Sequence, residues 1–252
     1  MQLIASLLFH AITVISLILY VPIVLLTFPF PYRVRYGVAT QWASFMVWLG
    51  KVLCGMRFEV EGKENIPSTP AIVMGKHQST WETFAFQQFF PPQVWVLKRE
   101  LLRLPFFGWG LALMEPIAID RGAGHRAVEQ IIRQGKARLE SGKWVVIFPE
   151  GTRVSWGKRR KYGLGGAVLA AETGYPVLPV AHNAATCWPR RSVKLRRGTI
   201  RVAIGPVIDP AGLSAEQIRD QVQDWIETKM MELEGRSEMA ELISGRHPGK
   251  AK

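Results

Sequence analysis

From Met1 to Phe30 the sequence has no Asp, Glu, Lys or Arg, and no other feature restricts the possible folds as much. As a helix this stretch would run about 45 Å, longer than the roughly 30 Å hydrocarbon core of a bilayer. Pro22, Pro29 and Pro31 would kink or end it, so a straight span and a bent, half-inserted helix both satisfy the pattern. A second uncharged stretch, Tyr36 to Gly50, places Trp42, Phe45, Met46, Leu49 and Leu53 at helical spacing, with Arg33, Arg35 and Lys51 at its borders. The two together read as a membrane-associated helical hairpin. A cleaved signal peptide would open on basic residues, and Met1 to Ser6 has none. Two buried core helices are the plainer alternative. Arg33, Arg35, Lys51 and Arg57 follow the first apolar stretch, which by the positive-inside tendency puts the rest of the chain on the cytoplasmic side of the cell membrane.

The 252 residues carry a formal charge of +12, which calls for an acidic partner: nucleic acid, anionic lipid or a phosphorylated substrate. Cys54 and Cys187 are far apart and outside any CxxC spacing, so neither a disulfide framework nor a zinc site is expected, and a reducing compartment is.

After Gly55 the pattern becomes short β-rich runs alternating with helical stretches, the signature of a layered α/β domain. Strands are expected at Arg57 to Glu61, Ala71 to Gly75, Val94 to Lys98, Pro116 to Ile119, Trp144 to Phe148, Val177 to Ala181 and Thr199 to Ile204. Helices are expected near Thr80 to Phe89, Leu101 to Leu113, Gly124 to Glu140 and Leu164 to Glu172, and from Ala215 to about Glu234 behind a capping box of Ser214 and Gln217. The expected architecture is an α/β fold with a mixed sheet of about seven strands flanked by helices: membrane helices over 1–55, the α/β domain over 56–235 and a basic tail over 236–252.

His77 follows the apolar run Ala71 to Met74 and precedes a helix, at the strand end where open α/β sheets place their sites. Five residues on, Glu82 can fold back to meet the imidazole, fixing its tautomer and stabilising its protonated form. A histidine at a strand end often only bonds a loop, so the pair alone leaves catalysis open. The run FPEGTR, Phe148 to Arg153, puts an acid, a glycine, a hydroxyl and a guanidinium into one turn after a strand, a turn able to offer amides and Arg153 to a phosphate.

Four runs in order, KHQSTWETF (Lys76 to Phe84), KRELLRLPFFGWGLALMEPIAIDR (Lys98 to Arg121), FPEGTR and YPVLPVAH (Tyr175 to His182), resemble the blocks of the 1-acylglycerol-3-phosphate acyltransferase family. The resemblance extends from about Gly62 to Pro206. It implies the glycerolipid acyltransferase fold and transfer of a fatty acyl group onto the sn-2 hydroxyl of lysophosphatidic acid, yielding phosphatidic acid. On this resemblance His77 is the general base and Glu82 its support. Lys98 and Arg121 belong to the block associated with acceptor phosphate, and Glu150, Gly151, Thr152 and Arg153 hold the glycerol-phosphate end. The family's first block usually ends in aspartate, whereas this chain has Glu82, which leaves another lysolipid open as acceptor.

An acyl thioester is already activated, so the reaction needs a base, a stabilised oxyanion and two bound substrates. No cofactor is expected beyond acyl-CoA or acyl carrier protein as donor cosubstrate. An acyl-serine route through Ser79 or Thr80 lacks a GxSxG elbow. No HExxH occurs, and His10, His125, His182 and His247 are scattered, so no metal is expected. The apolar run Leu101 to Leu113 suits an acyl-chain groove, a membrane contact or a buried helix. Lys158 to Lys161, and Arg190, Arg191, Lys194, Arg196 and Arg197, concentrate positive charge for anionic membrane lipid or an acidic donor. A membrane-anchored nucleic-acid-binding protein is the competing class, but no recognition module accompanies the charge, and nucleic acid is not an expected partner.

Overall fold

The structure, a computed structural model, describes residues 1–233 and 235. The basic tail over 236–252 lies outside the described residues. Two long helices open the chain, α1 (Gln2–Leu26) and α2 (Tyr32–Cys54). Pro22 lies inside α1. Pro31 takes the position just before α2, where a missing amide costs nothing. Gly55, at φ 70°, ends α2 in the left-handed conformation that lets its amide reach back to the last turn. The two helices run antiparallel: Trp42 Nε1 donates to Ser16 Oγ at 3.1 Å, and Gln2 Nε2 donates to the Cys54 carbonyl at 3.1 Å.

Among the described residues seven strands follow: β1 (Met56–Glu61), β2 (Ile72–Gly75), β3 (Gln93–Lys98), β4 (Ile117–Ile119), β5 (Trp144–Ile147), β6 (Val177–His182) and β7 (Gly198–Ile204). They form one sheet in the order β1-β7-β6-β2-β5-β3-β4. All neighbours are parallel except β6 and β7. Between and after them lie α3 (Trp81–Phe89), α4 (Phe107–Ala112), α5 (His125–Glu140), α6 (Gly165–Thr173) and α7 (Ala215–Leu233).

Strand alternation decides the layering, because successive side chains point to opposite faces. Ala71, Val73, Trp144, Val146, Leu178 and Val180 face one core with Phe9 of α1, Met46 and Leu49 of α2, and Trp81 and Phe86 of α3. Ile72, Met74, Val145, Ile147 and Val177 face the other, with Ile131 of α5, Leu169 of α6, and Val222 and Ile226 of α7. Covered on both faces, β2, β5 and β6 are buried throughout, which is why they read as continuous apolar runs.

The hairpin therefore shares a core with the sheet. Its outer face is different: Ile4, Ile15, Ile18, Leu19 and Leu26 of α1 and Trp48 of α2 are exposed. Among the described residues α1 is the one helix long and apolar enough to cross a membrane.

One expected element is divided. In place of a helix over Leu101 to Leu113 there is a 3-10 turn, Arg99–Arg103, then α4. Pro105 pushes Leu104 into the extended region, at φ −68° and ψ 122°, and so ends the helical path. The Ser214 and Gln217 capping box forms as expected, each side chain bonding the other's amide at 3.2 and 2.8 Å.

Candidate active site

β2 ends at Gly75, and the chain then passes through Lys76 and His77 before turning into α3. His77 Nδ1 lies 2.9 Å from Glu82 Oε1. The same oxygen accepts the amides of Gln78 at 3.0 Å and Ser79 at 2.8 Å, while Ser79 Oγ accepts the Trp81 amide at 3.1 Å. Glu82, in the first turn of α3, thus takes up the two amides that lead into the helix. The carboxylate that starts the helix is also the one that orients the imidazole. With Nδ1 turned toward Glu82, the chemistry falls to Nε2, for which no protein hydrogen bond is found among the described residues, on a side chain 13% exposed.

Burial alone would raise the Glu82 pKa, but the imidazoles of His182 and His77 and the Ser79 amide outweigh it and hold the group below its ordinary value. His182 is itself pushed down by burial. Its Nε2 donates to the Lys76 carbonyl at 2.8 Å and its Nδ1 accepts the Ala184 amide at 3.3 Å, the pattern of a neutral ring. The direct His77 bond and the two amides keep Glu82 ionised even where His182 is neutral.

The turn after β5 wraps around His77. The Phe148 ring stacks on the imidazole at 3.9 Å and 8°. Glu150 Oε2 accepts the His77 amide at 2.7 Å, and the Val154 amide donates to the His77 carbonyl at 2.7 Å. Gly151, at φ 67°, takes the left-handed conformation this tight turn demands, and its amide returns to Phe148 O at 3.0 Å. Thr152 and Arg153 follow, half-buried.

The structure thus gathers His77, Glu82 and Glu150, with Gly151, Thr152 and Arg153 in the same turn. Lys98 and Arg121 stand apart. β2, β5, β3 and β4 are adjacent and parallel, so His77, the turn after β5, Lys98 and Arg121 all follow strand ends on the same edge of the sheet. At about 4.8 Å per strand, the ends of β3 and β4 lie roughly 10 and 14 Å from that of β2. Lys98 is half exposed and pairs with Glu100 at 3.0 Å. Arg121 opens a 3-10 turn beyond β4, and its side chain lies outside the described features.

Three residues that sequence reasoning did not single out complete the surroundings. Lys76, 1% exposed, places Nζ 2.7 Å from Glu150 Oε1 and 2.7 Å from Glu227 Oε1 of α7. The first contact is an ion pair off the line of a well-formed hydrogen bond; the second is a hydrogen bond. Tyr162 donates to Glu227 at 3.0 Å, and Arg159 pairs with it at 3.3 Å. A cleft of about 310 Å³ lined by Arg159, Arg160, Lys161 and α7 borders this end of the chain of charges.

A family model described as Acyltransferase matches residues 57–183, the stretch that holds both motif turns. Over 207 residues the chain is 46% identical to the 1-acyl-sn-glycerol-3-phosphate acyltransferase of Pseudomonas aeruginosa, covering 81% of this chain and 80% of that protein. The chain belongs to the acyltransferase family. A second acyltransferase of the same name, from Borreliella burgdorferi, is 31% identical over 186 residues, covering 70% of this chain and 74% of its own. The crystal structure of the 1-acyl-sn-glycerophosphate (LPA) acyltransferase PlsC from Thermotoga maritima superposes with a TM-score of 0.77 at 24% identity, covering 92% of this chain and 96% of that one. The mixed sheet with its flanking helices is therefore an acyltransferase fold.

Proposed function

We propose that this acyltransferase moves a fatty acyl group from an acyl thioester to the sn-2 hydroxyl of 1-acyl-glycerol-3-phosphate, making phosphatidic acid for phospholipid synthesis. The observation that carries the reading is the His77 and Glu82 pair, with Nδ1 held at 2.9 Å and Nε2 left for an acceptor. Relatives along most of the chain's length bear the name of this activity.

In the proposed step, Nε2 takes the hydroxyl proton as the oxygen attacks the thioester carbonyl. The tetrahedral intermediate then expels the thiolate, which recovers the proton from the imidazolium. Glu82 stabilises the imidazolium through Nδ1–H. Phe148 and the two hydrogen bonds to the His77 main chain prevent the ring from drifting. Arg153, with the Gly151 and Thr152 turn, takes the acceptor phosphate, and Lys98 and Arg121 extend the positive field along the same sheet edge. Acyl-CoA and acyl carrier protein both supply the thioester this step needs.

We place the enzyme at the cytoplasmic face of the membrane, where an amphipathic lysolipid acceptor partitions. The exposed apolar face of α1 supports this, as does the basic loop of Arg191, Lys194 and Arg196, tied to α1 through Ser6 and His10. Acyl transfer by detergent-purified protein, given either labelled donor and a panel of lysolipids, tests the reading. Phosphatidic acid formed by wild type and not by folded His77→Ala is expected. No product on any lysolipid from folded wild type would end it.

A further inference from the structure

Lys76 is the most completely buried cation among the described residues, and the proposed chemistry does not use it. Its amide donates to the Val180 carbonyl at 2.9 Å, and its carbonyl accepts from His182. An ammonium this deep persists only when paired. Its two partners come from distant parts of the chain, Glu150 in the turn around His77 and Glu227 on α7. Glu150 in turn spends its other oxygen on the His77 amide at 2.7 Å. We propose that Lys76 is a positioning residue: bridging Glu227 and Glu150, it holds the Glu150 carboxylate against the His77 main chain and makes α7 part of the frame that aims the imidazole.

The inference rests on His77 acting as the base, and it adds the condition that Glu150 be ionised. The charged and titratable groups facing Glu150 are Lys76 from the end of β2, Glu227 from α7 and Tyr162 from the loop before α6. Burial pushes the Glu150 carboxyl up to about 7, Lys76 and the His77 amide oppose that rise, and Glu227 adds to it. The two partners of Lys76 therefore act on Glu150 with opposite signs. Losing the ammonium favours the protonated acid, which no longer grips the amide as a carboxylate does. Losing the Glu227 charge favours the carboxylate.

The experiment follows that difference in sign. Glutamate-labelled full-length protein in detergent is titrated by carbon NMR, with Glu150 assigned by the resonance missing in Glu150→Gln. Lys76→Met, which removes the charge and keeps most of the unbranched side chain, is expected to move the Glu150 titration upward by about 1 to 3 pH units, and Glu227→Gln to move it downward. The acid limb of kcat/KM should follow in the same two directions, with kcat of Lys76→Met at neutral pH lower by about 10²-fold and KM for both substrates unchanged. Should Lys76→Met fail to fold, Glu227→Gln decides alone. A Glu150 titration that stays in place, a limb that does not follow it, or shifts of the same sign in both variants would overturn the proposal. The NMR titration reads Lys76 even if the acceptor proves to be a different lipid, while a wild-type enzyme inert toward all lysolipids would count against the function alone.

Discussion

At the scale of single residues, the site depends on one carboxylate oxygen serving three donors. Glu82 Oε1 holds His77 Nδ1, the Gln78 amide and the Ser79 amide together, all within 3.0 Å. The extra methylene relative to aspartate is built into the position of α3. Glu82→Asp, which withdraws the carboxylate by about 1.5 Å, is expected to lower kcat by about 10²-fold, since a displacement near 1 Å in a reacting constellation costs that much. Steady-state kinetics beside His77→Ala, for which a loss of about 10²- to 10⁴-fold is expected, would check it. Glu82 also links stability to pH. Its folded pKa is depressed below 4.5, so its contribution is fully present above 4.5 and is lost as pH falls through the folded value. Glu82→Gln should therefore show a shallower fall of melting temperature with acid than wild type, measured by thermal unfolding across that range.

At the scale of elements, α7 ties the second core to the site. Ile218, Val222 and Ile226 recur at helical spacing on its buried face, and Glu227 sits at the edge of that face with 8% exposure. Truncating Ile226 to alanine leaves a void against the sheet, at a cost of about 2–5 kcal/mol. The expected result is a lower denaturation midpoint by circular dichroism in detergent. α5 and α6 approach each other closely at Gly135, where an added Cβ would meet Leu169 at 2.7 Å. Gly135→Val should destabilise by about 1–3 kcal/mol through overpacking, visible in the same assay and without a change in KM for the remaining folded enzyme.

At the scale of the whole molecule, charge and apolar surface lie side by side. The loop carrying Arg191, Lys194 and Arg196 is exposed and bonded to the first turns of α1, whose outer face presents Leu3, Ile4, Leu7 and Leu8. A surface of that kind suits an anionic lipid headgroup above a hydrocarbon interior. Replacing Arg191, Lys194 and Arg196 together with glutamine removes about 1 kcal/mol each near such a surface, roughly a 10²-fold loss of binding. Sedimentation with vesicles rich in anionic lipid should show it, and the loss should shrink at high salt.

What could be read from the sequence was local. The uncharged opening, the strand and helix periods, the five-residue interval from His77 to Glu82 and the turn at Gly151 all depend on neighbours along the chain, where spacing and backbone preference suffice. The bonds from Glu82 to the Gln78 and Ser79 amides are local in the same way, spanning four and three residues. Pro105 carries a break signal of its own, although the apolar run around it has the pattern of a single helix. Tertiary structure decided the rest. The contact of Glu150 with His77 spans 73 positions and exists because β2 and β5 are neighbours in register, Met74 beside Ile147. Lys76 and Glu227 are 151 positions apart, and either charge by itself reads as a surface residue. Burial turns them into a pair, and burial follows from how strands and helices are layered, which no local pattern specifies.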